Sequence, residues 1–363
     1  MKKLIVFLLI TLCITSCKTN SDEIVIGAIL PLTGDAASYG ISAREGYELA
    51  IHEINMQNPD KKIIIKFEDS KASAKEAVSA YLKLKNIDNP PIIFGLLSSP
   101  EVLSVSPIAE KDKTIIFSSG ASSPLISSAG EYVFRNVPSD LLEATLMAET
   151  AIGKLNLKKI AIIYINSDYG IGAQSKFKQR YEELGGQIIA EESFIANQTD
   201  FKTNLLKIKN SNPDGIYFIG YKELGRMVKQ AKELNIKAQY LSNALFEDPE
   251  ILEISGNAAE GLIFTTFYFD PESDDQRTKS FVQNYKDKYG KLPDGFAVAA
   301  YDAIHVVFNA LEDNVISSET IRSSLYLLSS FDGLLGDFSF DSNGDVILPV
   351  KLKTISNNKF VNF

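Results

Sequence analysis

From Glu23 onward, short runs of Ile, Val, Leu and Phe alternate with longer segments whose apolar residues recur every three to four positions. The runs predict strands over 24–30, 63–67, 92–95, 114–117 and 132–135. The segments between them predict helices over 38–55, 72–85 and 101–111. In the first helix Ala43, Tyr47, Ala50, Ile51 and Ile54 share one face, the stripe with which a surface helix covers a sheet. A second alternating set follows: helix 141–155, strand 159–165, helix 169–184, strand 187–194, helix 201–209, strand 215–219, helix 224–234 and strand 239–241. An extended run at 262–267, helices at 274–289 and 296–311, and strands at 336–340 and 347–355 complete the chain. Continuous β-branched runs bounded by turn residues read as strands buried on both faces. Their alternation with helices predicts an α/β architecture with parallel sheets.

The stretch from Ile92 to Pro124 shows what such a unit offers. Ile92-Ile93-Phe94-Gly95 ends in Leu97-Ser98-Ser99-Pro100, and Thr114-Ile115-Ile116-Phe117 ends in a turn from Ser118 to Pro124. Two parallel strands joined through a helix place both carboxyl ends on one edge of the sheet, outside which ligands of open α/β sheets bind. The edge carries hydroxyls and free backbone amides, and Pro100 suits the first turn of a helix whose N–H groups point outward. A carboxylate fits such a surface, although Ser-rich turns are also ordinary loop chemistry.

Two alternating sets, with more elements after the second, predict two lobes between which the chain crosses near Pro138, Thr266 and Pro349. Lobe 1 then takes 24–138 plus 266–348, and lobe 2 takes 139–265 plus 349–363.

The N-terminus reads differently. Lys2 and Lys3 precede an apolar run from Leu4 to Ile14, followed by Thr15-Ser16-Cys17. This is the layout of a signal peptide over 1–16, too short for a stable span. Ile14-Thr15-Ser16-Cys17 resembles a bacterial lipobox, with Cys17 as the lipidated residue and 17–23 as a polar tether. The alternative is a plain secretory leader. With Cys13 in the removed segment and Cys17 lipidated, no thiol or disulfide remains. The 363-residue chain carries a formal charge of −9. Without Lys2 and Lys3 it has 35 basic residues (37 less two) against 46 acidic, or −11. The absence of a basic stripe argues against nucleic acid.

Catalytic and metal patterns do not assemble. His52 and His305 stand alone within helical patterns, outside any metal-ligand spacing. No nucleophile elbow is present. Gly170-Ile171-Gly172 follows a strand but has Ser175 where a dinucleotide fingerprint needs a third glycine. Asp341-Ser342-Asn343-Gly344-Asp345 has its glycine too early for the sixth place of a calcium loop and no Glu at the twelfth position, so it reads as a hairpin turn. The reading is of a chain with no catalytic residue, metal or cofactor. What recurs instead is a polar or aromatic group at strand ends in both halves: Tyr39-Gly40, Ser98-Ser99, Gly120-Ala121-Ser122, Asp168-Tyr169-Gly170 and Gly220-Tyr221. Tyr at a strand end is individually unremarkable, but the shared topological place points to one cleft.

An ordered series of short motifs resembles type I periplasmic binding proteins, and among them the leucine/isoleucine/valine-binding group that serves ABC importers. It runs from the Gly27–Gly34 segment, with Tyr39-Gly40, Gly46, Glu48-Leu49-Ala50 and Glu53-Ile54-Asn55, through Asp69-Ser70, Gly95, Ser98-Ser99, the Gly120–Pro124 turn and Phe134-Arg135. It continues with Asp168-Tyr169-Gly170, Gly220-Tyr221, Gly261-Leu262 and Tyr301-Asp302-Ala303. The resemblance covers essentially the whole chain after the leader. It implies two Rossmann-like lobes with parallel sheets joined by three crossover strands, a ligand between them, hinge closure, and delivery to a permease and ATPase complex by a monomeric, extracytoplasmic protein on a lipid anchor at Cys17.

Carried over, Ser98, Ser99, Ala121 and Ser122 line the carboxylate side of the site. Ser99 and Ser122 hold the carboxylate, the Gly120 carbonyl accepts from an ammonium, and Tyr39, Tyr169 and Tyr221 wall the pocket. One position departs. Where amino-acid binders of the group carry an acid to pair with the ammonium, this chain has Ala244, within Ser242-Asn243-Ala244-Leu245-Phe246. A desolvated ammonium without a carboxylate is costly. Glu247 or Asp248 swings in, Asn243 substitutes, or the ligand is an amide, urea or a carboxylate without an ammonium. A ligand-sensing lipoprotein that signals to a receptor is the alternative to an importer component.

Overall fold

The computed structural model describes residues 22–59, 61–267, 269–309 and 316–363. The expected leader, Cys17 and the first part of the expected tether lie outside them. The first lobe begins β1 (Asp22–Leu30), α1 (Ala37–Gln57), β2 (Lys61–Asp69), α2 (Ala74–Ile87), β3 (Ile92–Gly95), α3 (Ser99–Asp112), β4 (Ile115–Ser118) and β5 (Val133–Arg135). These strands form one parallel sheet in the order β2-β1-β3-β4-β5. β1 starts before the predicted position because β2 starts at Lys61 and its backbone pairs Asp22 and Glu23, the last residues of the expected tether.

The second lobe follows with α4 (Asp140–Glu149), β6 (Lys159–Ile165), α5 (Asp168–Glu183), β7 (Gln187–Phe194), α6 (Lys202–Ser211), β8 (Gly215–Ile219), α7 (Glu223–Glu233), β9 (Gln239–Ser242), α8 (Pro249–Ser255) and β10 (Ile263–Phe267). The chain returns to the first lobe as α9 (Gln276–Tyr289), α10 (Gly295–Asn309), α11 (Ser318–Leu327), β11 (Phe331–Gly333), β12 (Gly336–Phe340) and β13 (Val346–Ile347). It then crosses back as β14 (Val350–Ser356) and β15 (Lys359–Asn362). β14 runs antiparallel along β10, and the second sheet reads β15-β14-β10-β9-β8-β6-β7.

Burial follows the strand period. Ile92, Phe94, Ile115 and Phe117 enter one apolar cluster with α1 and α10, whereas Ile93 and Ile116 enter another with α2 and α3. Both faces are covered, so β3 and β4 are apolar up to Ser118, the last residue of β4. The second lobe has its own core, from Ala144 and Met147 through Ile160–Ile163, Phe218 and Phe264.

Caps set the boundaries. Ser98, at the N-cap of α3, donates its backbone N–H (2.9 Å) and its hydroxyl (2.6 Å) to Glu101. Pro107 inside α3 cannot donate to the Leu103 carbonyl, and the Ser106 hydroxyl reaches it at 3.5 Å. The run predicted as one strand at 347–355 is two, because Pro349 falls between β13 in one lobe and β14 in the other. The Asp341–Asp345 segment is the hairpin turn between β12 and β13, with Asp341 accepting from the Asn343 and Asp345 amides. α8 and α11 have no counterpart among the predicted elements, though Asp248 and Ser317 cap them conventionally.

In both sheets the winding direction reverses once, between β1 and β3 and between β6 and β8. Those switch points open at the carboxyl ends of the strands, and there the lobes face each other.

Candidate functional site

The first-lobe side of the cleft is built from the turns after β3 and β4. Ser99 is buried, and its hydroxyl oxygen accepts from the Ser123 amide at 3.1 Å, which leaves its proton free to be donated. The Ser98 hydroxyl is already engaged by Glu101. The turn after β4 is held from beneath by Ser118, whose hydroxyl accepts from the Ala121 amide (3.1 Å) and donates to the Leu96 carbonyl (2.9 Å). Gly120 passes so close to Leu97 that a Cβ would lie 2.8 Å from its carbonyl oxygen, so this approach requires glycine.

Arg135, fully buried at the end of β5, fixes the rest of the turn. It donates to the Ser123 carbonyl (2.9 Å), the Ala121 carbonyl (3.5 Å), the Ser127 hydroxyl (3.0 Å) and the Asp345 carboxylate (2.7 Å). Ser122 is buried, and its carbonyl accepts from the Asp140 amide at 2.8 Å.

The second-lobe side presents two tyrosines. Tyr169 and Tyr221 stack with centroids 5.2 Å apart and 25° between planes. The Tyr169 hydroxyl accepts from Asn243 Nδ2, which also donates to the Gly220 carbonyl at 3.2 Å. α5 starts tightly: a Cβ on Gly170 would lie 2.0 Å from the Ile165 carbonyl oxygen. The lobes meet directly where the Ser123 hydroxyl donates to the Asp168 carbonyl at 3.3 Å. Tyr39, half-buried on the first lobe, stacks on Phe296 (4.8 Å) with the Lys222 ammonium 5.3 Å from its ring centre. Its hydroxyl is buried without a hydrogen-bond partner. Burial first, then the charges of Asp248, Glu223 and Glu250, holds that hydroxyl well above the usual tyrosine range.

Ser99, Gly120, Ala121, Ser122, Tyr169 and Tyr221 thus gather at facing strand ends, with Tyr39 at the rim beside Lys222. Of the residues weighed as replacements for the acid at Ala244, Glu247 is bound to Lys353 and Thr266. Asn243 is bound to Tyr169, and Asp248 caps α8 through the Glu250 amide. What the sequence reading passed over are Asp140 and Glu143, both buried, on the first turn of α4. Glu143 accepts from the Ala244 amide (3.2 Å) and from the Thr265 hydroxyl (2.6 Å). Burial and then Glu143 push the Asp140 carboxyl well up, and burial raises Glu143 as well. Their spacing, three apart after the cap Ser139, was visible. First-turn acids ordinarily complement the helix dipole in solvent, which is why that signal is weak. Among the described residues no metal-ligating cluster occurs.

Two α/β lobes joined by three crossings, with hydroxyls and amides on one lip and aromatic rings on the other, define a two-lobed architecture with a polar and aromatic cleft between the lobes. The chain matches the periplasmic binding protein family over residues 23–359 and belongs to it. It is 26% identical over 332 residues to Leu/Ile/Val-binding protein homolog 1 of Brucella abortus, covering 90% of this chain and 88% of that one. Among solved structures it superposes on the leucine-binding protein LivK of Thermotoga maritima with a TM-score of 0.85 at 29% identity, over 94% of this chain and 97% of that one. It also superposes on LivJ of Streptococcus pneumoniae in complex with isoleucine, with a TM-score of 0.85 at 28% identity, over 93% and 97%.

Proposed function

We propose that this chain is the extracytoplasmic solute-binding component of an ABC importer, that it takes a small aliphatic amino acid between its lobes, and that it is held at the membrane through lipid on Cys17. The observation that carries the reading is the meeting of Ser99 and the Ser118–Ser123 turn with Tyr169 and Tyr221 at the carboxyl ends of both sheets. The free Ser99 proton and the amides of the turn suit a carboxylate, and charge-assisted bonds of this kind contribute roughly 1.5–3 kcal/mol each. The stacked tyrosines suit an aliphatic side chain. The similarity to proteins named for leucine, isoleucine and valine supports the same ligand class here.

The lobes are the bodies that move, with boundaries at the three crossings, 24–138 plus 266–348 and 139–265 plus 349–363. Closure strengthens the polar contacts by excluding water, and the closed form is what a permease reads. Thermal melting against a ligand panel tests the reading. A ligand held only by the folded state, at a hundred times its Kd, stabilises by about 2.7 kcal/mol, which is several degrees. Leucine, isoleucine or valine is expected to raise the midpoint. A shift only from their deaminated acids, short amides or urea would overturn the amino-acid assignment, and no shift from any of the panel would overturn the small-carboxylate reading as well.

A further inference from the structure

We propose that Asp140 and Glu143 together form the cation-recognising half of the ligand site, doing from α4 what an acid at position 244 would have done from the loop after β9. The inference rests on the reading of the cleft as a small-carboxylate site and adds the chemistry that selects an amino acid within that class.

Position comes first. α4 begins where the chain first crosses between the lobes, and residues three apart on its opening turn share a face. Asp140 is joined to the first-lobe turn, its amide to the Ser122 carbonyl and its carboxyl beside the Ser122 hydroxyl. Glu143 is joined to the second lobe at the Ala244 amide, the residue from which the acid is absent, and at Thr265. The two carboxyls therefore bridge the carboxylate-binding turn and the vacant acid position. Tyr169, Tyr217 and Tyr221 lie within electrostatic reach of the pair.

Partnering comes next. Asp140 is 2% exposed, and its Oδ2 is buried with no hydrogen-bond partner. Glu143 is 3% exposed. Two like carboxyls out of water are costly unless a cation or a proton joins them. Arg135 is the cation that acts on Asp140, but its guanidinium is occupied by Asp345, Ser127 and the carbonyls of the turn. A buried acid with an open oxygen, beside a second acid and within the cleft, is suited to an ammonium from the ligand. Burial raises both carboxyls, so an ammonium that settles between them displaces a proton held by the pair. The tyrosines facing the pair are themselves held well above their usual range and do not take part in that exchange.

The test is calorimetric titration of the full chain in detergent with L-leucine, L-isoleucine and L-valine, and with 4-methylpentanoate, which is leucine without its ammonium. Wild type is compared with Asp140→Asn and Glu143→Gln at pH 7 in two buffers of different ionisation enthalpy. The expected result is amino-acid binding at least 100-fold tighter than the bare acid in wild type. Each variant should weaken amino-acid binding ~10- to 100-fold while leaving the bare acid unchanged or improved, and proton release on binding should be lost in the variants. Variants that bind the amino acid like wild type with the same proton release overturn the proposal. Wild type that prefers the bare acid overturns it too, and leaves the small-carboxylate reading standing. Wild type that binds nothing in the panel overturns that reading and this proposal with it. Should neither variant fold, the wild-type proton count decides: no release at pH 7 overturns the proposal.

Discussion

Replacing Arg135 by Met isolates what holds the ligand turn in place. Met keeps much of the side-chain volume but removes the guanidinium, so the Ser123 and Ala121 carbonyls, the Ser127 hydroxyl and the Asp345 carboxylate lose their shared donor. Removing one partner of a buried ion pair costs about 3–5 kcal/mol, because the other charge is left uncompensated. Asp345 is 15% exposed and keeps its bond from Ser127, so the lower end, about 3 kcal/mol, applies. For a lobe of this size each kcal/mol corresponds to roughly 2–4 °C, so the midpoint should fall by roughly 6–12 °C. The turn that carries Ser122 and Ser123 loosens with it, and ligand affinity should drop ~10-fold or more. Differential scanning calorimetry gives the first number and ligand titration the second. The double variant R135M/D345N removes the orphaned charge and should regain part of the loss. D345N alone, which strands a fully buried guanidinium, should be the worst of the three. If R135M melts within about 2 °C of wild type and binds ligand as before, the turn does not depend on Arg135 and the reasoning fails.

Three further outcomes follow from the packing and charges. Gly46→Ala places a methyl 2.1 Å from the Ala297 carbonyl oxygen where α1 crosses α10; it should cost about 3 kcal/mol in urea denaturation, and an unchanged midpoint would mean the helices part freely. Tyr169→Phe removes the acceptor for Asn243 and should cost about 1 kcal/mol, read by melting with and without ligand; no change in either would remove Tyr169 from the site's hydrogen-bond network. Asp302 is buried, accepts from the Leu334 and Leu335 amides at 3.0 Å each, and burial pushes its carboxyl up to about 7 from 3.8. An acid raised in the folded state keeps its proton longer folded than unfolded, so its contribution is greatest at low pH and is lost as pH rises from about 4 to 7. The loss is up to about 4 kcal/mol. Asp302→Asn should flatten the stability–pH curve across that window, and parallel curves for variant and wild type would refute it.

Much of this molecule is written locally. Ile92-Ile93-Phe94-Gly95 and Gly215–Ile219 read as strands locally, because short β-branched and aromatic runs bounded by turn residues suit a strand covered on both faces. Ser73, Ser98, Ser139 and Ser167 announce helix starts through bonds that span two or three residues. The hairpin at Asp341–Asp345 follows from Gly344 and the Asp341 side chain alone. The same logic brought Ser99, Ser122, Tyr169 and Tyr221 to strand ends, since topology dictates that parallel strands finish on one edge.

Partnership between distant residues is another matter, and there the folded chain decides. Asp140 and Glu143 look like the solvated acids of any helix start. Nothing within ten residues says that β9, β10 and the turn after β4 will close over them and strip their water. Ala244 looks like a deleted acid until Glu143 is seen to reach its amide across 101 positions of sequence. Arg135 reads as one more residue at the end of a short strand until Asp345 arrives 210 positions later. Short-range hydrogen bonds and side-chain period fix the elements from sequence. Burial of a charge depends on which elements pack together, and that is settled only when both lobes have formed.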